Sequence, residues 1–235
     1  MQFSFDSFKR YIQKVERLIP EGSISKKEFD FFVSLLKKHA DIQDVGEIGF
    51  NVGFSSYAFL SARDNIQVTS FDIGTHKYVK HAKEFIDARF SGRHTLVRGN
   101  SLKTVPSFVE HNPNTKFGLI FIDGGHDYHT VITDLHNMKK LATQDTIVVM
   151  DDLTPWEGWG RGPTKAWREA VGTGLIREIG VYKNGVSVKS LEGGSPDRIW
   201  GVGCYQELEK QVLTSSRRRR YSLESNSSLM KLRIP

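Results

Sequence analysis

Two apolar runs in this chain end abruptly in carboxylate. Phe121-Ile122-Asp123-Gly124-Gly125-His126 is followed, about 25 residues later, by Val148-Val149-Met150-Asp151-Asp152. In an open parallel sheet, ligands sit in the crevice beyond the carboxyl ends of the strands, so acids at two neighbouring strand ends face one site. Three acids and a histidine would converge there. Such a cluster is costly to assemble unless something neutralises it, and a hard divalent cation with oxygen ligands, Mg2+ above all, would do so. A cation on a substrate hydroxyl lowers its pKa, and a histidine within reach can take the proton. Any one of these aspartates, read alone, is equally a solvated loop residue or a helix N-cap; their joint placement is what points to a metal. His126 has the same ambiguity, between proton acceptor and a residue bonded within its own loop.

A second constellation lies upstream, at Glu47-Ile48-Gly49-Phe50-Asn51-Val52-Gly53-Phe54-Ser55. Gly49 and Gly53 let the backbone turn tightly and approach a ligand at the start of a helix. The loop lacks the Gly-Lys-Ser or Gly-Lys-Thr ending of a nucleoside triphosphate site, and its G-x-x-G-x-x-x-G spacing from Gly46 is not the G-x-G-x-x-G of a dinucleotide site. Asp72 follows about 20 residues later, at the end of the next apolar run, where an acid can accept hydrogen bonds from ribose hydroxyls. The implied ligand is nucleoside-like, without a pyrophosphate.

The elements that must carry these residues follow from periodicity. Phe8, Tyr11, Ile12, Val15, Leu18 and Ile19 recur at helical spacing up to Pro20-Glu21-Gly22. Ser25-Lys26-Lys27-Glu28 has the form of a capping box, with Phe29, Phe32, Val33 and Leu36 as the apolar face of the helix it opens. From Asp44 the pattern alternates. Strands are predicted over 45–48, 66–71, 94–97, 117–122 and 146–150, with helices over 55–62, 76–90, 102–110 and 128–141 between them. Such βα units demand right-handed crossovers and a mainly parallel sheet covered on both faces. A Gly- and Trp-rich loop follows, in which Trp156 and Trp159 either cover an acceptor or pack under the sheet edge. Pro163 is expected at the first position of the next helix, and the runs 175–182 and 198–205 are expected to pair antiparallel at the sheet edge.

Composition narrows the setting. One cysteine, Cys204, excludes an internal disulfide framework, and no stretch approaches the roughly 20 apolar residues of a membrane span. The start, Met1-Gln2-Phe3-Ser4-Phe5-Asp6, lacks the features of a signal peptide, so a cytoplasmic protein is expected. The net charge of +6 hints at nucleic acid, but residues 207–235 hold 7 Lys or Arg against 3 acids, leaving 26 against 24 for residues 1–206. The basic cluster, Arg217 to Arg220, sits in a polar stretch that reads as a disordered tail rather than as a groove on the fold.

With these residues in view, the sequence resembles the class I methyltransferases that use S-adenosylmethionine. Glu47-Ile48-Gly49 with Gly53 and Ser55 looks like their first motif, Asp72 like the ribose acid, and Gly99-Asn100-Ser101 like the segment beside the adenine. Ile122-Asp123-Gly124-Gly125-His126-Asp127-Tyr128, with Val131 and Asp134-Leu135, is similar to the metal-dependent small-molecule O-methyltransferases, including those acting on macrolide sugars, with catechol and caffeoyl O-methyltransferases more distant. The resemblance covers roughly residues 41–206.

It implies an α/β, doubly wound, Rossmann-like fold: a mostly parallel seven-stranded sheet with an antiparallel edge hairpin. The expected organisation is an N-terminal helical cap over 1–40, a catalytic domain over 41–206 and a basic tail over 207–235. It implies S-adenosylmethionine held by Glu47, Gly49, Gly53, Ser55, Asp72, Asn100, Ser101 and Asp123, a divalent metal held by Asp123, Asp151 and Asp152, and His126 as the base beside Asp123. The acceptor would be a hydroxyl of a small molecule, and a homo-oligomer is compatible with the sequence. An RNA acceptor is favoured only by the tail, because the fourth strand lacks the Asn- or Asp-Pro-Pro-aromatic ending of amino-group methylators. A catalytically silent cofactor-binding or scaffold protein should have lost a site acid, and none is missing.

Overall fold

Leu119, Ile120, Phe121 and Ile122 are buried without exception, as are Ile147 to Met150. Continuous apolar runs of this kind belong to parallel strands covered on both faces, since successive side chains point to opposite sides. The alternation is visible in the packing. Leu119, Phe121, Ile147 and Val149 enter one core, while Ile120, Ile122, Val148 and Met150 enter the other.

The computed structural model describes residues 4–16 and 23–206. Two helices, α1 (Phe5–Glu16) and α2 (Lys26–Lys38), precede five βα units. These are β1 (Asp44–Ile48), α3 (Phe54–Ala62), β2 (Gln67–Asp72), α4 (Tyr78–Arg89), β3 (His94–Arg98), α5 (Ser101–His111), β4 (Leu119–Ile122), α6 (Tyr128–Lys139), β5 (Ile147–Met150) and α7 (Arg161–Gly172). Three strands close the fold: β6 (Ile176–Lys183), β7 (Val186–Val188) and β8 (Ile199–Tyr205). The sheet order is β3-β2-β1-β4-β5-β8-β6-β7, parallel from β1 to β5 and antiparallel thereafter. The order reverses between β1 and β4, and that switch point opens the crevice in which such sheets bind ligands.

The sheet therefore has eight strands rather than seven. The addition is β7, joined to β6 through Asn184 and Gly185, both at positive φ as a two-residue hairpin turn requires. The runs expected to pair antiparallel do so, but β8 lies inside, against β5, with β6 outside it. Pro163 stands third in α7, not first; it is still within the opening turn, where a missing N–H breaks no helical bond.

The N-terminal helices share a core with the sheet. Ser25 caps α2, and its hydroxyl and the Glu28 carboxylate each accept a backbone N–H of the other residue, the expected capping box. Phe32 of α2 meets Phe59 and Phe121 edge-on, with ring centroids 4.9 and 4.8 Å away, and Phe8 of α1 stacks on Tyr57 at 4.6 Å. The expected end of the first helix at Pro20 and the basic tail both lie outside the described residues. Among the described residues, no helix is long and apolar enough to cross a membrane.

Candidate active site

The glycine loop is built by contact as much as by conformation. Gly49 has φ +95°, and a Cβ there would lie 1.8 Å from the carbonyl oxygen of Asp123. The end of β1 thus touches the end of β4 backbone to backbone, held by the Asp123 N–H donating to the Ile48 carbonyl at 2.9 Å. Asp72 secures the other side: one carboxylate oxygen accepts the N–H groups of Phe50 and Asn51 at 2.9 and 2.8 Å, the other that of Gly74 at 2.6 Å.

Beside this loop opens a cleft of about 710 Å³, with Gly49, Asp72, Asn100, Ser101, Asp123 and His126 on its wall. Ile73, an exposed apolar side chain, lines it as well. The structure therefore gathers five of the eight residues expected to hold the cofactor. Glu47, Gly53 and Ser55 are not on the wall. Gly53, at φ +78°, is the N-cap of α3. Ser55 is buried and bonds to Glu47. Glu47 itself is fully buried beneath the loop, where Ser56 and Ser70 donate to its Oε1 and His94 Nε2 lies 2.7 Å from Ser70 Oγ.

Burial governs this buried network. It pushes the Glu47 carboxyl up to about 7 against the opposing hydrogen bonds from the serines. It also pushes His94 down to about 3, with Lys83 adding to the effect. Between about pH 3 and pH 7 the proton resides mainly on Glu47 and the imidazole is uncharged, so the network is neutral there and acts by shaping the loop above it.

At the far end of the cleft, Asp123, Asp151 and Asp152 place one carboxylate oxygen each within 4.8 Å of one another. A cavity of about 10 Å³ touches all three and His126, about the room that one ion or water needs. Asp151 is buried, and its Oδ1 has no hydrogen-bond partner. Asp152 has φ +64°, a left-handed backbone uncommon outside glycine and tolerated by Asp, directly at the strand end. Burial pushes the Asp123 and Asp151 carboxyls up, and neighbouring carboxylates add to it: chiefly Asp152 for Asp123, and Glu28 followed by Asp152 for Asp151. An all-oxygen set of mutually repelling acids with an unpartnered buried oxygen fits a hard divalent cation.

His126 Nε2 lies 2.9 Å from Asp152 Oδ2, and this bond raises the imidazole pKa against the opposing effect of burial. The first turn of α7 packs against the backbone of that histidine, for a Cβ on Gly162 would sit 2.1 Å from the His126 carbonyl oxygen. The two tryptophans separate. Trp159 is at the surface, its ring 6.1 Å from that of His126, whereas Trp156 packs against the core under the sheet edge.

Sequence reasoning missed Arg198 and Glu28. Arg198 Nη2 lies 3.2 Å from Asp151 Oδ2 and 4.0 Å from Asp152 Oδ1, and its Nε lies 3.7 Å from Glu28 Oε2. Burial opposes the guanidinium charge, yet Asp151, Glu28, Asp152 and Asp123 together hold its pKa above the ordinary value. Its position was legible only through the place of β8. Because β8 runs antiparallel to β5, with Met150 opposite Gly201, the residue entering β8 arrives beside the acids leaving β5.

Comparison with known proteins agrees with this geometry. Residues 47–153 match a family described as a methyltransferase domain. No curated protein matches the chain. Among solved structures it is similar to an O-methyltransferase from Bacillus cereus in complex with S-adenosylhomocysteine, at 17% identity and a TM-score of 0.66, over 85% of this chain and 91% of that one. It is also similar to TomG, an O-methyltransferase of Streptomyces achromogenes involved in tomaymycin synthesis and solved with S-adenosylmethionine, at 13% identity and 0.64, over 86% and 89%. A third is CalS11, a TDP-rhamnose 3'-O-methyltransferase of calicheamicin biosynthesis, at 19% and 0.58, over 83% and 92%. The fold is that of the class I O-methyltransferases, as the resemblance implied.

Proposed function

We propose that the protein transfers a methyl group from S-adenosylmethionine to a hydroxyl of a small molecule, with a divalent cation at the acid cluster. One observation carries this reading: Asp123 lies on the wall of the nucleoside-sized cleft and is also one of the three clustered acids. A donor in the cleft and an acceptor at the cluster would meet there. The B. cereus enzyme and TomG, O-methyltransferases of similar fold solved with S-adenosylhomocysteine and S-adenosylmethionine, and CalS11, a sugar O-methyltransferase of similar fold, support this reading.

S-adenosylmethionine would supply an electrophilic methyl for in-line displacement, and Asp123, Asp151 and Asp152 would hold a divalent cation that would lower the pKa of the acceptor hydroxyl. The chain's own residues do the rest. Gly49, by its close backbone approach, and the carboxylate of Asp72 position the nucleoside, with Asn100 and Ser101 beside its base. His126 accepts the acceptor proton, a contribution of about 10²- to 10⁴-fold. Asp152 orients the imidazole through its 2.9 Å bond, and Trp159 borders the acceptor's approach. Fixing donor and acceptor in one frame supplies up to about 7–11 kcal/mol of the barrier. Residues 41–206 form the catalytic domain in this reading, with residues 1–40 as its helical cap.

The test is methyl transfer from labelled S-adenosylmethionine to a panel of sugars, catechols and RNA, with Mg2+ and after exhaustive chelation. Transfer to a small hydroxyl compound that chelation abolishes is expected. Full activity after chelation would remove the metal from the mechanism, and transfer to RNA alone would replace the acceptor class.

A further inference from the structure

The acid cluster contains its own cation. One guanidinium, that of Arg198, reaches two of the three candidate metal ligands and, on its other edge, Glu28 at the start of α2. Arg198 engages only Oδ2 of Asp151, leaving the buried Oδ1 without a partner. Glu28 is itself fixed, because its Oε2 accepts the Ser25 N–H of the capping box at 2.7 Å. Turning Glu28 away would break the capping-box bond to the Ser25 N–H, so the start of α2 holds the carboxylate that holds the arginine.

We propose that Arg198 is a resident counter-ion of the acid cluster: it keeps Asp151 and Asp152 together when no divalent ion is bound, it competes with that ion for the same carboxylates, and Glu28 sets its position. This rests on the metal reading above. The consequence is one of sign. A positive charge in contact with Asp151 opposes a divalent ion at the same acid, so removing it tightens ion binding while weakening the ion-free protein. Removing Glu28 does the reverse, since it deletes a negative charge and releases Arg198 onto the acids. A residue that merely orients a ligand behaves differently, its loss weakening metal binding by about 10- to 100-fold. Opposite shifts from Arg198 and Glu28 are therefore the signature of a counter-ion, which a purely structural role would not produce.

The experiment is calorimetric titration of Mg2+ into the intact protein and its Arg198→Gln, Arg198→Lys and Glu28→Gln variants, with thermal unfolding in chelator and in saturating Mg2+. Glutamine at position 28 still serves the capping box. Expected are an Mg2+ Kd at least tenfold lower for Arg198→Gln, at least threefold higher for Glu28→Gln, and near the parent value for Arg198→Lys. In chelator the Arg198→Gln protein should unfold at lower temperature than the parent, with Mg2+ restoring most of the difference. Weaker or unchanged Mg2+ binding by Arg198→Gln, or tighter binding by Glu28→Gln, overturns the proposal while leaving the metal reading intact. An Arg198→Gln protein unfolded with and without Mg2+ also overturns it, because the ion should replace the lost charge. A parent protein that binds no Mg2+ removes the metal reading and the proposal together.

Discussion

Replacing Gly49 by alanine should damage the protein twice over, and the structure gives the size of each effect. A Cβ at position 49 would lie 1.8 Å from the Asp123 carbonyl oxygen, whereas real contacts are not seen below 3.0 Å, so the two strand ends must separate by about 1.2 Å. Overpacking of that kind costs about 1–3 kcal/mol, and a side chain at φ +95° adds about 1–2 kcal/mol. The sum is about 2–5 kcal/mol. The displacement also moves the cofactor loop relative to Asp123, and a 1 Å error in such geometry costs on the order of 100-fold in rate. Gly92→Ala is the control. Gly92 has φ +72° with nothing within 4 Å of a Cβ, so it carries the conformational cost alone. Urea unfolding followed by circular dichroism should place Gly49→Ala well below Gly92→Ala, and calorimetry on folded protein should show a large loss of S-adenosylhomocysteine affinity only for the former. Equal stabilities for the two variants, or unchanged cofactor affinity in Gly49→Ala, would refute the argument that backbone contact between β1 and β4 sets the site.

Asp72→Ala should weaken S-adenosylhomocysteine binding at least tenfold in calorimetry, since it frees the N–H groups of Phe50, Asn51 and Gly74 together; an unchanged Kd would show that the loop holds without it. His126→Ala should lower the single-turnover rate by about 10²- to 10⁴-fold at neutral pH with little change in cofactor affinity, partly rescued at higher pH, as expected for loss of a base. Because the folded-state pKa of Glu47 is raised to about 7, its contribution to stability is complete below about 4.5 and is lost as pH rises through 7. Glu47→Gln should flatten this decline, on the order of 3 kcal/mol by pH 8, and parallel stability profiles for the two proteins would contradict the assignment. Phe32→Ala should cost about 3–5 kcal/mol in denaturant unfolding because Phe32 packs on Phe59 and Phe121; a loss under 1 kcal/mol would mean that α2 is not part of the core.

The sheet was legible in the sequence because burial on both faces writes strands such as Leu119–Ile122 as unbroken apolar runs. Asp123, Asp151 and Asp152 could be brought together for the same reason, since strand order alone makes the ends of β4 and β5 neighbours. Contacts that depend on which element docks where were not legible. Arg198 reaches the acids only because β8 slots in beside β5, and Glu28 only because α2 packs on the face of the sheet, with Phe32 on Phe121 and Phe31 on Trp200. Glu47 was read as a cofactor residue from its motif, but strand alternation turns it under the loop, towards Ser56 and Ser70. The strand β7 was missed despite its Asn184-Gly185 turn, because three residues are too few to show a period.

The place of β8 also bears on how the chain is made. Synthesis delivers β5, α7 and the β6–β7 hairpin before residues 199–205 leave the ribosome, yet the hairpin can join the sheet only through β8. Until then the backbone of Ile147–Met150 presents an open edge, apolar on both sides, of the kind that recruits foreign strands. A chain lacking β8 would therefore leave that edge open to mispairing, and it would lack Arg198, the cation that reaches Asp151 and Asp152, as well.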